Sequence, residues 1–150
     1  MTGPGRARNV DRVQIRDEGF ASLTTDELYA LLRLRSDVFV VEQACVYADL
    51  DGRDTEPGTR HVWVERAGPA AYLRVLDDGD VLRIGRIVTR AGERGSGLAA
   101  ELMRHVLSGS DGPWTLDAQE YLAEWYERLG FVRSGPAYDD EGIPHVPMRR

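Results

Sequence analysis

Residues Ile84 to Ala99 read IGRIVTRAGERGSGLA, and this stretch decides the fold. Its first part belongs to a longer run, Val81 to Thr89, whose β-branched residues predict a strand. A glycine-bearing loop, Arg90 to Gly97, then leads into a helix with apolar positions at Leu98, Leu102, Met103, Val106 and Leu107. At such a junction several backbone N–H groups point one way, and the helix dipole adds partial positive charge. The turn Arg94-Gly95-Ser96-Gly97-Leu98-Ala99 therefore suits a phosphate or pyrophosphate. It is not a Walker loop, because no Gly-Lys-Ser/Thr follows. A Rossmann fingerprint would stand at the first βα turn of its domain, whereas this turn follows a meander of strands. Taken alone, a glycine turn also serves as a plain tight connection.

On the N-terminal side, Val13 to Arg16 reads as a short first strand. Thr24 and Glu27 have capping-box spacing. The helix they open carries Leu28, Leu31, Leu32, Val38 and Phe39 and should end near Val41. Glu42 to Gly58 is polar, acidic and turn-rich, a long loop of the kind that is often functional. His61–Glu65 and Ala71–Leu76 read as strands joined around Gly68-Pro69, and Asp78-Gly79 signals a hairpin. On the C-terminal side, Trp114–Ala118 is a strand. Leu122, Trp125, Tyr126 and Leu129 share one helix face, which Gly130 ends. Phe131–Arg133 and His145–Met148 read as closing strands, separated by a polar loop, Tyr138 to Pro144. The expected fold is mixed α+β: one domain, residues 11–150, behind a flexible tail, residues 1–10.

The 150 residues carry a net charge of −6, which argues against nucleic acid as a partner. No apolar run reaches the ~18 residues of a membrane span. All nineteen basic residues are arginine, and the chain contains no lysine. Cys45, the single cysteine, has no internal disulfide partner, and the cytoplasm is the expected location. Glu42, Asp49, Asp51 and Asp54 lack the ligand alternation of a calcium loop, and no metal is expected.

The chain resembles the GNAT N-acetyltransferase superfamily, which carries Gln/Arg-x-x-Gly-x-Gly/Ala at this junction; Arg94, Gly97 and Ala99 fill that pattern. The likeness to the ElaA subfamily extends through LYALLRLRSDVFVVEQ (28–43), IGRIV (84–88), Ala118-Gln119, Trp125-Tyr126, Leu129-Gly130-Phe131 and DEGIPH (140–145). Ala44 and Val46 depart from it, where a polar residue and a proline are expected. The resemblance implies a mostly antiparallel sheet splayed at the cofactor slot and flanked by helices. It implies acetyl-CoA as cosubstrate, with Ile87, Val88 and Thr89 pairing with the pantetheine arm. Arg94, Gly95, Ser96, Gly97, Leu98 and Ala99 would hold the pyrophosphate.

Tyr126 lies on the apolar helix face, where a core tyrosine bonded to some carbonyl is one reading. The resemblance implies the other, a general acid that protonates the departing thiolate. An amine acceptor must lose a proton before it attacks, and Glu42, Asp49, Asp51, His61 and His145 are the base candidates. Glu42 closes an apolar run, where partial burial would raise its pKa. Histidine ionises near pH 6.5 without tuning, which favours His145. Glu42 and His145 lead; a base acting through water, or no protein base at all, is the alternative. Cys45 as an acyl-carrying nucleophile is unnecessary if transfer is direct. The expected function is acetyl transfer to a primary amine of a small molecule or peptide, with a cationic acceptor favoured by the acidic loop. A non-catalytic acyl-CoA sensor or interaction module is the alternative, and a homodimer stays open.

Overall fold

The computed structural model describes residues 13–150; the tail expected over residues 1–10 lies outside the described residues. The elements are β1 (Gln14–Gly19), α1 (Thr25–Arg35) with a π-helical extension (Ser36–Glu42), β2 (Arg60–Glu65), β3 (Pro69–Asp77) and β4 (Leu82–Thr89). They continue with α2 (Leu98–Ser108), β5 (Trp114–Gln119), α3 (Ala123–Glu127), β6 (Val132–Arg133), β7 (Tyr138–Asp140) and β8 (Ile143–Arg149). The strands form one sheet in the order β1-β2-β3-β4-β5-β8-β6, with β7 on β8. Every pairing is antiparallel except β4 with β5.

Side-chain alternation covers both faces of this sheet. Val62 and Val64 of β2 and Leu73 and Val75 of β3 pack towards α2 and α3, with Leu102, Met103, Val106 and Phe131. Trp63 and Tyr72, one residue out of step, face the other way onto Leu31, Leu34 and Val38. In β4 the alternation breaks. Ile84 and Ile87 share one face, while Val88 lies on the other. The break is a β-bulge: the register with β3 jumps between Tyr72↔Val88 and Arg74↔Gly85, and Arg86 takes a positive φ of 55°. An added residue of this kind bends a strand and sharpens its twist. Beside the bulge, β4 and β5 pair only at Leu82↔Trp114 and Arg83↔Thr115. Beyond those positions the strands part.

Helix α1 starts where its capping box places it: Glu27 N–H donates to Thr24 Oγ1 at 3.1 Å, and Thr24 N–H to Glu27 Oε1 at 3.0 Å. Its buried stripe is Leu31, Leu34, Arg35 and Val38 rather than the purely apolar set read from the sequence. Arg35 is fully buried and answered by the long loop after Glu42. Its Nε donates to Asp49 Oδ2 at 3.0 Å and its Nη1 to Asp54 Oδ1 at 2.7 Å. Arg74 of β3 donates to Asp51 at 2.5 Å and to Asp54 at 3.0 Å. The loop is therefore pinned through its own aspartates. They are neutralised internally, which removes the expected reason for them to attract a cationic acceptor.

Two further expectations change. Tyr138 to Pro144, read as a loop, is a β-hairpin, because Glu141 and Gly142 both take positive φ (52° and 81°) and make the tight turn that joins β7 to β8. The helix expected over Leu122 to Leu129 is a single short turn, α3, preceded by a 3₁₀ turn at Glu120–Leu122.

Candidate active site

Where β4 and β5 part, a cavity of about 420 Å³ opens. Its walls include Ile84 to Thr89 on one side and Leu116, Asp117 and Gln119 on the other. The Arg94–Ala99 turn follows β4, whose last residue, Thr89, lines the cavity. Gly95 and Gly97 take positive φ (84° and 78°), and α2 begins at Leu98. A Cβ at either glycine would meet open space, so it is the positive φ rather than crowding that favours glycine there. The backbone N–H groups of Gly95 to Ala99 find no acceptor among the described residues. Such an arrangement at a helix N-terminus suits an anion. The residues present fit the diphosphate of a coenzyme.

Tyr126 is 6% exposed and lies on the cavity wall. Trp125 and Phe131 contact its ring edge-on, at centroid distances of 4.9 and 6.2 Å. Its hydroxyl has no hydrogen-bond partner among the described residues, unlike the carbonyl-bonded core tyrosine considered above. Burial, with the neighbouring Tyr121 adding to it, pushes the phenol well above its ordinary value, so it keeps its proton at neutral pH.

His145 also lines the cavity, stacked on Tyr138 across the β7–β8 pair at 5.9 Å. Its Nδ1 lies 2.8 Å from the Ile143 carbonyl. A carbonyl only accepts, so Nδ1 carries the hydrogen, and the neutral ring leaves Nε2 as a lone-pair acceptor.

Glu42 is the correction. Expected partly buried with a raised pKa, it is exposed and does not line the cavity. Its carboxylate is gripped by both Nη atoms of Arg94 at 2.5 and 2.6 Å. That guanidinium holds the Glu42 carboxyl below its usual range. The helix ends where Arg94 can reach it, and solvent rather than apolar side chains surrounds the rest. His61 is likewise removed from the cavity. Its Nε2 donates to the Asp54 carbonyl at 2.9 Å and its Nδ1 accepts from Tyr72 at 2.7 Å. Burial lowers its pKa and keeps it neutral. Asp49 and Asp51 are occupied by arginines. We therefore expect Glu42→Gln to leave the acidic limb of the kcat/KM profile in place, while His145→Gln alters it; a pH series on both variants checks this.

Sequence reading missed Arg86, Tyr47, Asp117 and Tyr138, which also line the cavity. Gly85 inside a strand pattern was a usable signal for the bulge. For Tyr138 nothing local distinguished a strand from a loop. Among the described residues no helix is long and apolar enough to cross a membrane. No group of three or more His, Cys, Asp or Glu side chains is placed to hold a metal there either.

A mixed sheet that parts between two parallel strands, with a glycine turn opening the helix that connects them, is the architecture of a GNAT-type acyltransferase domain. The family described as "Acetyltransferase (GNAT) domain" matches residues 22–150, and the chain belongs to it. Within that family it is ElaA-like: it is 36% identical to Escherichia coli protein ElaA over 92% of this chain and 96% of that one. The ElaA crystal structure superposes with a TM-score of 0.85, at 35% identity over 92% of this chain and 99% of that one. A crystal structure described as an acyl-CoA N-acyltransferase from Pseudomonas aeruginosa superposes with a TM-score of 0.88, at 41% identity and the same coverage. A UPF0039 protein of Mycobacterium tuberculosis is 47% identical over 82% of this chain and 83% of its own length.

Proposed function

We propose that this protein is a cytoplasmic N-acetyltransferase that moves an acetyl group from acetyl-CoA directly to a primary amine. The observation that carries the proposal is the parting of β4 from β5 after two paired positions, which leaves a slot lined by Ile84 to Thr89 and by Tyr126, whose hydroxyl is unbonded among the described residues. Acetyl-CoA supplies an activated thioester when bound. The amides of Gly95 to Ala99 hold its pyrophosphate, and the backbone of Ile87 to Thr89 offers an edge for the pantetheine arm. His145 Nε2 takes a proton from the amine, either directly or through water, freeing the lone pair that forms the new C–N bond. Tyr126 gives its proton to sulfur as the C–S bond breaks. The nitrogen sheds its second proton to solvent as the amide forms; the products are an amide and free coenzyme A, His145 releases its proton to solvent, and Tyr126 regains one from it.

Thiol release from acetyl-CoA in the presence of an amine library tests the reading. Release that depends on an amine is the expected result; coenzyme binding without release in the presence of any amine would favour the sensor alternative. The coenzyme site has its own test. Gly97→Glu should lower acetyl-CoA affinity by at least about tenfold, or ~1.4 kcal/mol, in calorimetry on folded protein. Gly97→Ala serves as the control, because it imposes the same positive φ without the charge. An unchanged affinity in the glutamate variant would place the pyrophosphate elsewhere.

A further inference from the structure

We infer that Arg86 is a positioning residue, which ties the acceptor-side wall of the cavity to the β4 bulge. The inference rests on the transferase reading for its kinetic consequence and on geometry for everything else. Arg86 sits at the bulge that opens the slot and holds a positive φ there, a conformation that a side chain other than glycine adopts only when its surroundings enforce it. Its surroundings do so through the guanidinium. The guanidinium meets the segment after Glu42: Nε lies 2.8 Å from Asp49 Oδ1, and Nη2 donates to the Asp49 carbonyl at 3.1 Å and to Asp51 Oδ2 at 3.4 Å. Its planar face covers the ring of Tyr47 at 5.5 Å. The Nε–H aims at no acceptor, so its approach to Asp49 is a charge contact rather than a hydrogen bond.

Asp49 in turn accepts from the Tyr47 hydroxyl at 2.9 Å. Tyr47, Cys45 and Gln43, all on that segment, line the cavity with Gly85, Arg86 and Ile87 of the bulge. One side chain thus joins the strand that forms the slot to the wall facing it. The Arg94–Ala99 turn lies at the other end of β4 and receives no contact from Arg86. Arg86 should accordingly affect the acceptor more than the coenzyme. Asp49 keeps its bond to the buried Arg35 whatever stands at position 86, so variants there should fold.

The informative variant is Arg86→Gly, since glycine takes the positive φ freely and loses only the clamp. Hydrogen exchange in residues 45–51 of the ligand-free protein should rise by about fivefold or more. Acetyl-CoA affinity, by calorimetry, should stay within about threefold. With an amine that the wild-type protein turns over, the acceptor KM should rise by about tenfold, while kcat falls by less than about threefold. Arg86→Lys restores charge without the fork and should recover little of the KM. Millimolar guanidinium ion added to Arg86→Gly should lower the acceptor KM again. Unchanged exchange in Arg86→Gly, an unmoved acceptor KM, or a parallel loss of acetyl-CoA affinity would each overturn the assignment. If the wild-type protein bound no acetyl-CoA, the transferase reading would fall, and the exchange comparison would still decide whether the clamp exists.

Discussion

Tyr126→Phe should lower kcat by roughly 10²-fold or more and leave acetyl-CoA affinity largely intact. The variant keeps the ring that packs edge-on against Trp125 and Phe131 and removes only the hydroxyl. That hydroxyl has no protein partner to lose among the described residues, so its removal opens no broken bond in the core, and stability should change little. Burial keeps the phenol protonated at neutral pH, the state an acid needs before the thiolate departs. Steady-state kinetics alongside calorimetry and a thermal melt will separate the roles. Normal turnover by the folded variant would end the general-acid assignment, and a joint loss of rate and binding would make Tyr126 a positioning group.

Arg35→Leu should cost about 3–5 kcal/mol, because removing one member of a buried ion cluster strands its partners. In a chain of this size that corresponds to a fall in Tm of roughly 6–20 °C. The pH dependence identifies the cause. Burial alone would raise the Asp54 carboxyl, but bonds from Arg35 and then Arg74 outweigh it and hold the group below its ordinary value of 3.8. A depressed folded-state pKa contributes stability that is complete above the unfolded value and lost as pH falls through the folded one. The gap between the wild-type and Arg35→Leu proteins should therefore be widest near neutral pH and narrow below about pH 4. Denaturant unfolding at several pH values checks this. A gap that ignores pH would mean that Arg35 contributes packing rather than charge. Asp51 supports the same picture, since the bond from Arg74 holds its carboxyl far below the usual range.

The element order was legible in advance because each element is set by neighbours a few residues away. The capping box at Thr24 and Glu27, the β-branched run up to Thr89, the glycines before Leu98 and the apolar spacing of α2 are local patterns. The Arg94–Ala99 turn belongs with them, since it needs only a strand, a few glycines and a helix start. Elements that depended on distant partners were misread. β7 is a strand because β8 pairs with it, and Tyr138 meets His145 only through that pairing.

The chain's local pattern carried the fold class, the glycine turn before α2 and the inward face that holds Tyr126. Tertiary structure decided the electrostatics. Glu42 looked like a base at the end of an apolar run, and it pairs with an arginine 52 residues away. Arg35 interrupts an apolar stripe and would be misplaced there without Asp49 and Asp54, 14 and 19 residues on. Arg86 is an ordinary strand residue until the bulge turns it onto Asp49. The reason is physical. Hydrogen-bonded periodicity is short-range and leaves its mark on consecutive residues, whereas a charge takes its pKa and its role from whichever opposite charge the folded chain brings within a few ångströms.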